Sequence, residues 1–239
     1  MNSWFGRVGK PYFDFIKNES SKTDIFCFME VSPDLYSKLS AILKGFNGIF
    51  HKGIIMEILG ISSGQAIFST KAIKIGKNGK VSIYRQSSRD VGFMEFSELT
   101  VKEKKIWLGS VHGKALPGNK LDTPIRLKQS EKIISFFADK SGPKIIGGDF
   151  NLMPDTESIA MFEKAGYRNL IKEYKIKSTR NHFSWEQAER QSKEEGIKFF
   201  GRQYFADYVF VSPGIKVKSF GVPNIEVSDH LPQILDFEV

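Results

Sequence analysis

The chain has little cysteine or histidine and no long apolar run. Its 239 residues include one cysteine, Cys27, and four histidines, at 51, 112, 182 and 230. A lone cysteine closes no intrachain disulfide and supports no cysteine-based metal site. Set between Phe26 and Phe28, it reads as a core thiol. The start, Met1-Asn2-Ser3-Trp4-Phe5-Gly6-Arg7, lacks the apolar stretch of a secretory signal. No segment approaches the roughly 20 apolar residues of a membrane span. A cytoplasmic protein with no membrane span is therefore expected, and no obligate protein partner is evident. Repeats, low-complexity tracts and long linkers are also missing, so residues 1–239 read as a single domain.

What is present suits one large α/β core: 41% hydrophobic residues, 13% aromatic, 21 of them phenylalanine. The formal charge of +8 suits an anionic substrate or partner, nucleic acid first. The basic residues are scattered rather than gathered in an arm, and a basic surface serves solubility equally well.

Hydrophobic periodicity places helices at Pro11 to Asn18, Asp34 to Leu43, Thr123-Pro124 to Ala138 and Ser158 to Ala165. In the third, Ile133, Ile134, Phe136 and Phe137 face inward. Asp24 to Val31 is nearly continuous in apolar residues and reads as a strand buried on both faces. Further strands are expected at Gly53 to Leu59, Gln65 to Ser69, Phe93 to Leu99, Lys105 to Val111, Lys144 to Gly148, Ala206 to Val211, Ile215 to Phe220 and Gln233 to Val239. Asn78-Gly79 signals a hairpin between Ile73-Lys74-Ile75 and Val81-Ser82-Ile83. Val101 to Lys105 reads as a solvated turn. Lys177 to Gly201 reads as a long polar loop, either shaping a binding site or simply solvated.

Two polar strings stand at the ends of apolar runs, Gly147-Gly148-Asp149-Phe150-Asn151 and Ser228-Asp229-His230. Carboxylates, an amide and an imidazole meeting over one pocket can hydrolyse a phosphate ester with the help of a hard metal ion. Asp149 and Asn151, two apart on an extended segment, would point to one side, although Asp-Phe-Asn-Leu-Met-Pro is also a turn sequence. Asp207 in Ala206-Asp207-Tyr208-Val209-Phe210 is costly in so apolar a strand unless paired. His51 and His182 fit no motif and read as surface residues. Trp107 reads as core, while Trp4 and Trp185 are candidates to stack on bases. Arg180 is a weaker candidate for phosphate contact.

In chain order, Asn2-Ser3-Trp4, Met29-Glu30-Val31, Val111-His112-Gly113, Gly148-Asp149-Phe150-Asn151, Ala206-Asp207-Tyr208 and Ser228-Asp229-His230 resemble the endonuclease/exonuclease/phosphatase superfamily, the DNase I-like phosphoesterases. The resemblance implies a four-layer sandwich of two mixed β-sheets flanked by helices, with its first strand truncated here. It implies Glu30 as the principal metal-binding carboxylate, joined by Asn2 and Asp229, for Mg²⁺ with Mn²⁺ as the alternative. It gives Asp149 and Asn151 the attacking water, His230 oriented by Asp207 the transition state, and His112 a phosphate-contacting or acid role. Met29 departs from the glutamine usual before this glutamate, and Asn2 lacks the apolar strand that usually precedes it. Ala206-Asp207-Tyr208 differs from the Cys-Asp-Arg of the inositol-polyphosphate branch. The substrate class expected is a phosphodiester in nucleic acid or a nucleotide. The alternatives are a lipid or small-molecule phosphate ester, or a catalytically weak nucleic-acid-binding relative.

Overall fold

The computed structural model describes residues 1–56, 60–87 and 90–239, with only the backbone at 54–56 and 61. Eleven strands and six α-helices occupy those residues: β1 (Ile25–Val31), β2 (Phe46–Met56), β3 (Ile61–Thr70), β4 (Lys74–Ser82), β5 (Phe93–Val101), β6 (Lys104–His112), β7 (Lys144–Asp149), β8 (Arg168–Asn169), β9 (Asp207–Val211), β10 (Lys216–Gly221) and β11 (Ile234–Glu238). The helices are α1 (Lys10–Glu19), α2 (Pro33–Ile42), α3 (Pro124–Ala138), α4 (Glu157–Lys164), α5 (Leu170–Glu173) and α6 (His182–Glu195).

The strands form a six-stranded sheet in the order β4-β5-β6-β7-β9-β8, a three-stranded sheet β1-β3-β2 and a two-stranded ribbon β10-β11. The large sheet is mixed through its one parallel pair, β6 with β7. The small sheet is antiparallel in its strand ladders and gains a parallel contact only where Asn2 bridges to Met29. The expected second mixed sheet is thus antiparallel but for that one bridge.

Alternation along β1 divides its side chains between two layers, as the period of two requires. Phe26 and Phe28 join Tyr12 and Ile16 of α1 and Leu35 and Leu39 of α2. Ile25 and Cys27 pack the other way, against the cluster built on the large sheet. Burial pushes the Cys27 thiol up to about 12, so it is an inert thiol of the interior. On the far side of the large sheet, Ile133 and Phe137 of α3 and Ile159 and Phe162 of α4 complete the fourth layer. Ile134 and Phe136 are only partly buried against it. Pro124 at the start of α3, with the Thr123 hydroxyl accepting from Arg126 N–H, is the cap its sequence promised.

Three sequence expectations change. Asn78-Gly79 makes no hairpin: both residues lie inside β4, paired with Ser97 and Phe96 of β5. The chain turns earlier, after Thr70, and a β-bulge between Ile75 and Asn78 absorbs the register shift. A Cβ at Gly79 would stand 3.2 Å from the Phe96 ring, so glycine is there for close packing under an aromatic face. The loop expected over Lys177 to Gly201 is mostly α6, capped by the Asn181 side chain accepting from Phe183 N–H and ended by Gly196 in the left-handed region. His51 is half-buried rather than free on the surface; its Nδ1 lies 2.7 Å from Oε1 of fully buried Glu95, between the two sheets. The strand expected over Gly53 to Leu59 is observed as far as Met56, and its end lies outside the described residues.

Candidate active site

Strand register assembles the pocket. In the large sheet His112 pairs across to Asp149 on β7, and Asp149 pairs across to Asp207 on β9. Residues directly opposite in a ladder share a face, so these three stand in one row at the end of the sheet. Glu30 arrives from the small sheet. It sits at a β-bulge, where the pairing of β1 with β3 shifts between Met29 and Val31, with φ of 54°. Asn151 and Lys120 share that left-handed backbone, at 55° and 56°. Such a conformation costs a non-glycine residue about 1–3 kcal/mol, and three of them converging on one pocket is a mark of a functional centre.

The last two site residues come from the C-terminal loop, which is sewn to the segment leading into α6. Leu231 N–H donates to Thr179 O at 2.8 Å, Asn181 Nδ2 donates to Ser228 O at 2.7 Å, and Ser184 Oγ donates to Asp229 O at 3.0 Å. Arg180 and His230 form a bridge between the two segments. The order Thr179-Arg180-Asn181 therefore acts as a splint for Asp229 and His230.

His230 is buried, with Nδ1 2.8 Å from Asp207 Oδ2. Its Nε2 faces Asp149 Oδ2 at 3.7 Å and Asp229 Oδ2 at 3.9 Å. Burial alone would lower the imidazole pKa, but Asp207, Asp229 and Asp149 outweigh it and raise it to about 9. With no ion on those carboxylates, the imidazolium form of His230 is thus favoured at neutral pH. Asp207 is raised by burial, offset in part by His230 and by a hydrogen bond with Thr179. Asp149 is also buried, yet His230, Lys120, His112 and Arg180 overcome that penalty and hold its carboxyl below the usual range. Glu30 is raised, by burial first and by the charge of Asp229, against the opposing pull of His112. His112 Nε2 lies 3.6 Å from Glu30 Oε1.

Asn2 is fixed rather than loose at the chain start. Ser3 N–H donates to Met29 O at 2.9 Å and Met29 N–H to Met1 O at 3.1 Å. Its Nδ2 donates to Glu30 Oε1 at 3.1 Å and to Asp149 Oδ2 at 3.3 Å, and its Oδ1 accepts from Trp4 N–H. The amide oxygen is therefore engaged, and Asn2 orients two carboxylates from behind the pocket wall.

Asn151 departs from the expected extended geometry. Its left-handed backbone makes a tight turn in which Asn151 N–H donates to Asp149 Oδ1 at 2.8 Å, so a turn rather than strand alternation joins the pair. Its Nδ2 donates to Gly113 O at 3.2 Å, and its Oδ1 accepts from Lys120 Nζ. Gly113 closes on the same turn: a Cβ there would meet Phe150 O at 2.3 Å, so its bare backbone packs against protein.

The sequence did not single out Lys120. It is 5% exposed, and burial, with Arg180 nearby, lowers its ammonium to about 7. Arg126, fully buried, holds the loop that carries it by donating to the carbonyls of Lys114, Ala115, Pro117 and Leu121. A sequence signal existed in the turn Pro117-Gly118-Asn119-Lys120 between two firm elements, but nothing in it marks a lysine for burial.

Asp149, Asp207 and His230 offer ligand atoms within 4.8 Å of one another. Their geometry is that of an acid–base array, since His230 Nδ1 is committed to Asp207 and the ring is held protonated. The donors that suit a cation are Glu30, Asp229 and Asp149. They are hard oxygen ligands, and a divalent ion would offset the burial and the Asp229 charge that raise Glu30.

The sequence profile of the endonuclease/exonuclease/phosphatase family matches residues 7–230. The chain belongs to that family. Solved structures agree on the fold. The mannosyl-6-phosphatase of Bacteroides thetaiotaomicron VPI-5482 superposes with a TM-score of 0.70 at 20% identity, over 97% of this chain and 91% of that one. D. rerio TDP2 complexed with single strand DNA product gives 0.70 at 15% identity, over 100% and 97%. The human Nocturnin catalytic domain with bound sulfate gives 0.69 at 18% identity, over 100% and 91%. No curated protein sequence matches the chain. Members of the family are phosphoesterase hydrolases, and no helix among the described residues is long and apolar enough to cross a membrane.

Proposed function

We propose that the protein is a divalent-metal-dependent phosphoesterase, with Mg²⁺ the preferred ion, acting on a phosphodiester in nucleic acid or a nucleotide. The observation that carries this reading is buried His230, its Nδ1 braced by Asp207 at 2.8 Å and its Nε2 facing Asp149 and Asp229 at 3.7 and 3.9 Å.

Glu30 and Asp229, with an oxygen of Asp149, would hold the metal, while Asn2 fixes the carboxylates by its amide N–H groups. Once bound, the ion supplies charge neutralisation at a phosphate oxygen and orients the substrate. The protein supplies the rest. Asp149, kept ionised by its cationic neighbours, aligns the attacking water. Asn151 positions Lys120 toward the phosphate. His230 stabilises the negative charge that builds as water adds to phosphorus, and its contact with Asp207 keeps the ring charged and oriented. His112, on the Glu30 side of the pocket, assists as an acid or a phosphate ligand.

The diester reading draws on the net charge of +8 and on the likeness to TDP2, whose structure holds a single-stranded DNA product. A phosphomonoester of a small molecule is the second reading, favoured by the likeness to the mannosyl phosphatase. The test is hydrolysis of bis-p-nitrophenyl phosphate, a DNA duplex with an abasic site, and a hexose 6-phosphate, by wild type and His230→Ala. Diester turnover lost in the variant supports the proposal. Turnover confined to the hexose phosphate replaces it with the second reading.

A further inference from the structure

The pocket has a second wall that the proposed chemistry does not use. The cavity of about 260 Å³ that holds the carboxylates and His230 is also bounded by α6 and the segment that follows it, through Trp185, Gln187, Ala188, Phe199 and Phe200. This wall differs in kind from the floor. Phe199 and Phe200 present hydrocarbon rings beside a site otherwise made of charge. Lys198 stands 5.0 Å from the centre of the Phe200 ring, and Arg202 stands 5.2 Å from that of Trp185. Trp185 Nε1 donates to Gln203 O at 3.2 Å, which fixes the ring and ties the segment back to the helix.

Three buried polar atoms in the pocket lining have no hydrogen-bond partner among the described residues: His112 Nδ1, Arg180 Nε and Gln187 Oε1. A desolvated polar atom left unpaired costs about 1–3 kcal/mol, so a ligand that pairs with it recovers that cost. Arg180 lies beside His230 and suits the phosphate. Gln187, set among aromatic rings, suits the edge of a flat polar group.

We propose that α6 and residues 197–203 form a base-binding subsite, in which the Phe199 and Phe200 rings take the face of a nucleobase and the Gln187 amide reads its edge. The proposal rests on the phosphoesterase reading and narrows it to esters carrying a nucleoside. A partly open cavity of this size takes one nucleotide at a strand end or a base turned out of its stack.

The experiment compares two esters that differ only in the group the wall would hold: thymidine 5′-(p-nitrophenyl phosphate) and methyl p-nitrophenyl phosphate. Wild type, Phe200→Ala and Gln187→Leu are assayed with Mg²⁺, and thymidine 5′-monophosphate binding is followed by tryptophan fluorescence in the same proteins. Base stacking predicts that the ratio of kcat/KM for the thymidine ester to that for the methyl ester falls about 5- to 100-fold in Phe200→Ala. Gln187→Leu lowers it less, and nucleotide affinity falls in step. An unchanged ratio with unchanged nucleotide affinity overturns the subsite while leaving the phosphoesterase standing. Absence of turnover on both esters overturns the phosphoesterase reading. Nucleotide affinity then still decides the subsite, retained if Phe200→Ala weakens it and rejected if it does not.

Discussion

The floor of the pocket and its outer wall are built by opposite means. On the floor, the reacting side chains are held by hydrogen bonds: His230 by Asp207, Asp149 by Asn2 and the Asn151 backbone, Asn151 by the Gly113 carbonyl and Lys120. His112, Asp149 and Asp207 come from strand ends locked in register, the rest from loops pinned to them, and three residues bear backbone strain. The wall is one helix and a short strap, resting on aromatic contacts and one indole hydrogen bond. Chemistry at phosphorus needs charges fixed before substrate arrives, whereas recognition of a flat group needs only a shaped apolar surface. The floor should therefore be intolerant of any change on all substrates, and the wall should be tolerant but selective.

Removing the centre of the floor should have the largest effect. His230→Ala is expected to lower kcat about 10³-fold or more on every phosphate ester, with little change in KM, as loss of a group that acts mainly in the transition state requires. Steady-state kinetics on two unrelated esters checks it, and a loss confined to one ester would make His230 a recognition residue and erase the contrast. Next comes Arg126, which holds the edge of the floor without touching the reacting groups. Arg126→Met leaves carbonyls of the 114–121 loop unpaired in the interior and should cost about 3–5 kcal/mol of stability. Urea unfolding reads this directly; a cost under about 1 kcal/mol would mean the loop holds itself.

A smaller effect is expected when the brace alone is changed. Against burial, Asp207, Asp229 and Asp149 raise His230 to about 9, and a divalent ion on Asp229 and Asp149 would withdraw part of that support, so wild-type activity should fall on the basic side at or below pH 9. Asp207→Asn removes one of the charges that raise it, so the basic limb of the pH–rate profile should move to lower pH, with a loss of about 10- to 100-fold at pH 8. A limb that stays in place would detach Asp207 from the function of His230. The smallest effect lies away from both regions, between the sheets. Burial raises Glu95 to about 7, so around pH 5 to 7 the folded state holds a proton that the unfolded state gives up. Stability is therefore fully present below the ordinary glutamate pKa and is lost as pH rises through 7. Glu95→Gln should thus gain on wild type by about 1–3 kcal/mol between pH 5 and pH 8. Thermal unfolding at the two pH values tests this, and an equal difference at both would place the Glu95 charge outside the stability balance.

The floor was legible in the sequence because its residues break an apolar pattern. Asp207 in Ala-Asp-Tyr-Val-Phe and Asp149 after Ile-Ile-Gly-Gly stand where only a paired carboxylate is tolerable, and strand register then brings them side by side. Glu30 and His112 closed the set through the family resemblance. Lys120 and Arg126 were not legible, since lysine and arginine in a polar stretch normally face water, and their burial follows from a loop folding over them. The wall was hidden for a different reason. His182 to Glu195 is rich in charged and polar residues and carries a weak helical stripe, so its helix is settled by the Asn181 cap and by packing of Ser184 and Trp185. The Asn78-Gly79 hairpin failed because a pairing partner from β5 overrode a local turn preference.

The most direct test of the whole account is turnover by wild type and Glu30→Gln on one phosphodiester as Mg²⁺ is titrated in after EDTA treatment. The account predicts no turnover in EDTA, saturable recovery in wild type, and a Mg²⁺ requirement raised about 10-fold or more in the variant. Equal activity of wild type in EDTA and in Mg²⁺, or a variant with the same Mg²⁺ dependence as wild type, would contradict it.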